Sequence, residues 1–400
     1  MIPLVFLIRG DLMDDLEAVF APSRTAVLLK HLSEVPDPRD PRRVAHPLPE
    51  VLLLVVCGTI CDCDDYDAIA EWGEAHLPTL RRFLPYHFGV PCGRWLTILM
   101  NRLPPALFAQ AFTDFVREAF PGSAEHIAID GKTSRRSHDR ATGQSALHLV
   151  SAFATARRLV LGQEAVPAKA NELAAIPTLI EKLAANEGLK GAMISIDAIA
   201  TNADIAQTIL DAGADYLLAV KANQSTIRAE IERYFDDAPA KSLDRHDDVD
   251  KGHGRIEERF VTVSVETDWL DANRRFPGET RLPKARSIIR VVSRTQLADR
   301  SRFETRFFIA SRPLSARDAA TAVRAHWAIE NTLHWTLDVV FHDDMSRLRK
   351  GHGAANMAVV RHFAFNLLRQ GMGKIPLKRM RKRASWNPQT LLDILKPSRR

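Results

Sequence analysis

Three carboxylates occupy positions from which a fold could bring them together. Asp130 closes the apolar run His126-Ile127-Ala128-Ile129-Asp130, and Asp197 closes Ala192-Met193-Ile194-Ser195-Ile196-Asp197. Glu330 lies one step round from Ile329, at the margin of the helical stripe Ala322, Ala325, Ile329, Leu333, Leu337, Val340. Magnesium prefers oxygen ligands and keeps several waters, so a few carboxylates suffice to bind it. Two such ions can supply what phosphodiester chemistry needs: an activated oxygen nucleophile, a stabilised phosphate and help for the leaving oxygen. Taken singly, each acid has a plainer reading as a turn residue or a solvated helix residue.

Basic and imidazole side chains surround these acids in the sequence. Lys132, Arg135 and Arg136 follow Asp130 in what is expected to be a loop, where they would meet a phosphate backbone or solvent. Lys221, Asn223 and Gln224 form the polar tip of the apolar strand Tyr216-Leu217-Leu218-Ala219-Val220, expected on the same side of the sheet as Asp130. His253, Arg255 and Glu257 alternate onto one face of a strand. His326, Glu330, His334 and Asp338 recur every four residues, one face of a helix. That spacing permits zinc chelation, but no third protein ligand is evident. Orientation of Glu330 or contact with phosphate is the favoured role for the histidines, with Arg324 nearby. Asp343 and Asp344 are expected to balance the bases Arg347, Arg349 and Lys350, which form a phosphate site or a connector.

The 400-residue chain is 46% hydrophobic and 26% charged, as in ordinary globular proteins. The apolar run at 2–8 lacks a basic start and is too short to span a bilayer, so neither secretion nor membrane anchoring is expected. Cys57, Cys61, Cys63 and Cys92 read as reduced thiols; Cys57, Cys61 and Cys63 match no common zinc spacing and are expected to pack. Nine bases and one acid fall after residue 373, so this tail carries +8 of a net +6 and the remainder is −2. Such a concentrated basic tail is the footprint of a polyanion partner; a solubilising tail is the plainer alternative.

The elements that must position the acids change texture at residue 126. Residues 14–120 read as helical, with helices at 51–60, 66–76 and 105–120. Strands are expected at 126–130, 146–155 and 158–166, a helix at 171–184 capped by Asn171, a strand at 192–197, a helix at 202–211, a strand at 216–220 and a helix at 224–235. That order is characteristic of a ribonuclease-H-like α/β domain, whose first and fourth strands are neighbours, so Asp130 and Asp197 would sit side by side. Strands at 255–265, 287–293 and 303–310 suggest a β-rich insertion. Ser315 and Asp318 then open a long helix with a capping box, and a last helix is expected at 354–369. The predicted organisation is a helical, DNA-binding N-terminal domain (1–120), an α/β ribonuclease-H-like catalytic domain in two parts (121–236 and 315–371), a β-rich insertion between them (237–314) and a basic tail (372–400).

Several long motifs also resemble a family. Ile129-Asp130-Gly131-Lys132, Ile196-Asp197-Ala198, the run from Asp215 through Val220 to Gln224, His253-Gly254-Arg255-Ile256-Glu257 and His326-Trp327-Ala328-Ile329-Glu330-Asn331-Thr332-Leu333-His334-Trp335 are similar to those of bacterial DDE insertion-sequence transposases. The branch that includes the H-repeat-associated proteins matches best, over about residues 32–370. The resemblance implies metal binding by Asp130, Asp197 and Glu330, with magnesium as cofactor and manganese as a substitute. It also implies cleavage of element ends and their joining to target DNA. Double-stranded DNA is then the partner and a homo-oligomer pairs the ends, in the bacterial cytoplasm and associated with the nucleoid. Lys132, Arg135, Arg136, Lys221, Asn223, Gln224, Arg255, Arg324, His326 and His334 are the candidate DNA contacts. A transposase-derived DNA-binding protein without catalysis and a metal-dependent nuclease are the alternatives. Two features depart from the wider group. Val323, His326 and Leu337 stand where many relatives place a Tyr, an Arg and a Lys, and Pro91-Cys92-Gly93-Arg94-Trp95 replaces a Ser-His-Asp-Thr turn.

Overall fold

The computed structural model describes residues 23–139, 142–166, 172–185, 188–252, 255–270, 281–296, 300–371, 373 and 375–396. The apolar run at 2–8, Asn171, His253 and the terminal bases Arg399 and Arg400 lie outside them. The chain divides into two compact units, one comprising Met1–Leu99, Asp114–Phe120 and Phe363–Arg400, the other Met100–Thr113 and Pro121–His362. No described helix is long and apolar enough to cross a membrane.

The first unit is helical. Its helices include α1 (Arg24–Ser33), α2 (Leu48–Ile60) and α3 (Tyr66–Ala75), and α4 (Gly93–Arg102) and α5 (Pro105–Ala119) follow. Apart from Pro49, every residue of α2 is buried, as expected of a helix apolar all round. Cys57, Cys61 and Cys63 are buried free thiols, and burial pushes Cys57 and Cys63 up to about 12.

The second unit is built on one nine-stranded mixed sheet in the order β3-β2-β1-β4-β5-β9-β8-β7-β6. Its strands are β1 (His126–Thr133), β2 (His148–Ala154), β3 (Leu159–Val166), β4 (Met193–Ile196), β5 (Asp215–Val220), β6 (Asp244–Gly252), β7 (Arg255–Ser264), β8 (Ser287–Gln296) and β9 (Ser301–Ala310). β1, β4 and β5 are parallel, whereas β2 and β3 form an antiparallel hairpin on β1. All residues of β2 and β4 are buried, which matches strands covered on both faces. β6 to β9 form an antiparallel meander that joins the sheet where β9 pairs with β5. Of these four strands the sequence pattern reveals three. β6, Asp244–Gly252, is too rich in acids to alternate and escapes it.

Helices α6 (Glu172–Ala184), α7 (Ala203–Asp211) and α8 (Ser225–Asp237) connect the strands. α7 begins as its sequence predicts, with the Asn202 side chain accepting from Ile205 N at 2.9 Å, and ends before Gly213 at φ +75°. The helix carrying Glu330 starts at Ser315, whose Oγ accepts from Asp318 N at 3.1 Å and donates to Asp318 Oδ2 at 2.7 Å. It runs as α9 (Ala316–His326), widens to a π segment over Ile329–His334, and resumes as α10 (Trp335–Val339). α11 (Gly353–Gly371), α12 (Leu377–Trp386) and α13 (Pro388–Leu395) complete the chain, so most of the basic tail is helical.

Candidate metal-binding active site

The sheet register sets the first two acids. β1 and β4 run parallel with Ile129 beside Ile196, so Asp130 and Asp197 follow on adjacent strands. Asp130 is not the last residue of its strand. β1 continues to Thr133, with Asp130 opposite Ser151 of β2. The strand can continue because Gly131 has no side chain: a Cβ there would lie 2.3 Å from His148 Nε2 and 2.8 Å from the Glu172 carboxyl. His148 and Glu172 are buried partners at 3.1 Å, and Thr133 Oγ1 lies 2.9 Å from His148 Nδ1. A wall of polar groups thus backs β1 behind Asp130.

The π segment delivers the third acid. A π turn inserts an extra residue into a helix and is frequent at functional sites. His334 Nδ1 stands 3.3 Å from Glu330 Oε2 and 3.6 Å from Asp130 Oδ2. One donor atom from each of Asp130, Glu330 and His334 falls within 4.8 Å of the others. Ligands of one cation at about 2.0–2.6 Å from it span no more than about 5 Å, so the three fit a single divalent ion. His334 is buried and Glu330 exposed, leaving the group open on its carboxylate side. Burial, then the hydrogen bond and charge of Glu330, push Asp130 up to about 8. The hydrogen bond from His334 holds Glu330 well below the usual carboxylate range.

Asp197 has a different partner. Lys221 Nζ lies 2.7 Å from its Oδ1 and 2.9 Å from its Oδ2. Burial, the largest single influence, would raise Asp197, but the hydrogen bond and charge of Lys221, together with a hydrogen bond from the Ala198 backbone, hold the carboxyl below its ordinary range. His326 stands behind this acid, with Nδ1 2.9 Å from Ser195 Oγ; the same hydroxyl lies 2.8 Å from His126 Nε2. Loss of water around His326 keeps its ring below the ordinary histidine range.

The other sequence-predicted contacts divide by exposure. Lys132 is buried and sits among three acids, with Nζ 2.6 Å from Asp338, 3.4 Å from Asp343 and 3.4 Å from Asp344. Asp343 also pairs with Arg361 and accepts from Ser134 Oγ at 2.8 Å; it is a buried hub rather than a balance for Arg347 to Lys350. Arg135 is exposed, 3.4 Å from Asp344, and the half-buried Arg136 accepts from Arg349 Nε at its carbonyl, 3.1 Å. Gln224 is buried and braces the turn after Asp197, donating to Ala198 O at 2.7 Å; the exposed Asn223 donates to the same carbonyl at 3.0 Å. Arg324 is exposed and ion-paired with Asp248 at 3.0 Å and Asp250 at 2.9 Å. The side chain of Arg255 lies outside the described residues. The helix face His326, Glu330, His334, Asp338 is therefore split three ways, toward Ser195, Asp130 and Lys132. Sequence reasoning grouped Asp130 with Glu330 but missed His334 as a third donor beside Asp130, because residues 204 positions apart on different elements share no local pattern.

The Transposase DDE domain model matches residues 121–367, and a DDE_Tnp_1-associated model matches residues 29–116. The chain belongs to the DDE transposase family. The H repeat-associated protein YhhI of Escherichia coli K12 is 34% identical over 376 residues, 92% of this chain and 97% of that one. YncI of Escherichia coli O157:H7 is 35% identical over 375 residues, 92% of this chain and 94% of its own. The piggyBac transposase synaptic complex with hairpin DNA aligns over 96% of this chain and 80% of that one at a TM-score of 0.42 and 10% identity, too distant to bear on the site.

In this DDE transposase the two departures from the wider group have visible settings. Val323 packs in the core with Ile289 and Phe308, Leu337 is buried, and His326 joins the Ser195 chain, so no Tyr, Arg or Lys stands at these three positions. In the Pro91–Trp95 turn, Gly93 lies against Asp67, where a Cβ would be 2.0 Å from Oδ1. Arg39 stacks over the Trp95 ring at 5.2 Å. That turn is a packed corner of the helical unit.

Proposed function

We propose that this DDE transposase cleaves the ends of an insertion sequence and joins them to target DNA. Asp130, Asp197 and Glu330 hold catalytic magnesium, for which manganese can substitute, and His334 completes the donor set at Asp130 and Glu330. The observation that carries the reading is convergence: the β1–β4 register sets Asp130 beside Asp197, and the π segment delivers Glu330 and His334 to Asp130. Divalent ions held there would activate the attacking oxygen and neutralise charge on the phosphate. The chain's own groups orient the acids. The hydrogen bond from His334 keeps Glu330 ionised, Lys221 keeps Asp197 ionised until a stronger cation displaces it, and the Ser195–His326 contact fixes the ring behind Asp197. The order β3-β2-β1-β4-β5, with β2 and β3 antiparallel to a parallel β1, β4 and β5, supports a ribonuclease-H-like catalytic domain. In that domain β6 to β9 are the insertion before Glu330, and the N-terminal helices recognise element ends. Exposed Arg135, Lys221 and Asn223 contact DNA once the metals are in place. Pairing two ends calls for a homo-oligomer, acting on the nucleoid in the cytoplasm.

A second reading, DNA binding without catalysis, is favoured by one observation: Lys221 occupies both oxygens of Asp197. Incubating purified protein with the DNA that flanks its gene, in magnesium, manganese or EDTA, separates the readings. Metal-dependent nicks at the element ends followed by joined products are expected. Nicks without joining would leave a metal-dependent nuclease, and tight binding without nicks in either metal would leave the non-catalytic binder.

A further inference from the structure

The basic segment after residue 373 reads in sequence as one cationic tail, yet α12 (Leu377–Trp386) sorts its charges into two classes. Leu377, Met380, Arg381 and Ala384 face inward and are buried. Arg381, with 0% of its surface exposed, is an anchor. Its guanidinium donates to Thr59 O at 3.0 and 3.1 Å and pairs with Asp62 at 3.2 Å and Asp64 at 2.9 Å, all within the helical unit. Lys378, Arg379, Lys382, Arg383 and Trp386 face outward and are all exposed, Trp386 at 77%. With Pro376 they line one recess.

The outward cations differ from those around the carboxylates. Lys132, Lys221 and Arg324 are each ion-paired with acids of the chain. Among the described residues, no carboxylate pairs with Lys378, Arg379, Lys382 or Arg383. The four form two pairs one helical turn apart, a step of about 6 Å along the axis. Four unneutralised positive charges on a rigid, anchored helix call for a regular polyanion, and each DNA strand offers one charge per about 3.4 Å. The exposed indole beside them is an amphipathic plate suited to a deoxyribose edge, with an N–H for a phosphate oxygen.

We propose that the outward face of α12 is a sequence-independent DNA-binding surface, separate from the carboxylate site. Lys378, Arg379, Lys382 and Arg383 contact phosphates, Trp386 packs on the sugar-phosphate backbone, and Arg381 holds the helix in place without touching DNA. The inference rests on the reading that DNA is the substrate, and its test needs no cleavage. Full-length protein is titrated in EDTA with a fluorescein-labelled 30-base-pair duplex of arbitrary sequence, and separately with element-end duplex, over a series of sodium chloride concentrations.

Each phosphate contact contributes about 0.9 to the slope of log Kobs against log salt. Replacing all four bases by Gln should make that slope shallower by about 3 to 4 and weaken binding roughly 10²–10³-fold at 0.1 M salt. The charge-keeping pair Lys378→Arg and Lys382→Arg should retain the slope, and Trp386→Phe should remove most of the change in tryptophan emission on binding. If the wild type binds duplex and the four-Gln protein keeps its slope, this proposal alone is overturned. Failure of the wild type to bind either duplex would overturn it together with the functional reading above. A four-base dependence seen only with phosphatidylserine vesicles, the DNA slope unchanged, would assign the face to a membrane surface instead.

Discussion

Asp130 owes its position to a neighbour with no side chain. Replacing Gly131 by Ala would press a methyl group into His148 and Glu172, at a cost of about 1–3 kcal/mol as for other overpacked sites. The strand can relieve that only by moving Asp130. Gly131→Ala is expected to lower the melting temperature and cut metal-dependent cleavage at least tenfold (order of magnitude for a displaced catalytic group); full activity would show that Asp130 tolerates the shift. A second residue, His362, governs acid stability. It is fully buried, 6.0 Å from the Phe112 ring, with neither ring nitrogen partnered among the described residues. Burial pulls it down to about 3. Between that value and the unfolded value of about 6.5 the unfolded chain binds the proton and the folded chain does not, so this residue's contribution to stability rises with pH through this window and is constant above it. This one group contributes up to about 1.4 kcal/mol per pH unit. Denaturant titrations from pH 4 to 8 should show the slope in the wild type and a flatter profile in His362→Leu; equal profiles would place the acid sensitivity elsewhere. At this scale the sequence discloses residue types and their local spacing. Asp130, Asp197 and Glu330 were legible because each ends or borders an apolar run. The pairing of Lys132 with Asp338, Asp343 and Asp344, or of His334 with Asp130, was not, since nothing local links residues on separate elements.

The stripe from Ala322 to Val340 predicts one α-helix, and the chain does run helically there, but the widened turn at Ile329–His334 changes which side chains share a face. Periodicity could not disclose this, because an extra residue inside a helix leaves both flanking segments in good α pattern. α12 shows the opposite limit. Its composition reads as one basic, polyanion-facing tail, and the buried Arg381 that makes it a packed helix is indistinguishable in sequence from the four bases around it. Removing that guanidinium would strand Asp62 and Asp64 beside the buried Thr59 carbonyl. Arg381→Met is expected to destabilise the helical unit by about 1–3 kcal/mol, the cost of leaving the buried Thr59 carbonyl without its donor, since Asp62 and Asp64 are a third exposed and reach water. A melting curve unchanged from wild type would refute the anchor role. At the start of α9, Ser315→Ala should cost about 1 kcal/mol through the lost cap, readable as a lower urea midpoint.

For the whole molecule, the nine-stranded sheet explains why acids from distant parts of the sequence can act together. Its parallel centre brings Asp130 of β1 beside Asp197 at the end of β4, and the chain must complete five further strands before the helix bearing Glu330 returns to them. The mixed α/β class was readable because, after a run of three strands from residue 126, strands and helices alternate up to residue 237. The continuity of β6 to β9 with the same sheet was not readable, because strand pairing is set by tertiary contacts rather than by local pattern. In the proposed function Asp130, Asp197 and Glu330 act as one metal-dependent unit on DNA. The direct test compares cleavage of element-end DNA in manganese by wild type, Asp130→Asn, Asp197→Asn and Glu330→Gln, with DNA binding measured in parallel in EDTA. Each variant should bind DNA within severalfold of wild type and lose roughly 10³-fold or more in cleavage, as is usual when one member of a cooperating catalytic set is removed. Cleavage within tenfold of wild type by any one of the three would contradict the assignment of that residue, and with it the unity of the site.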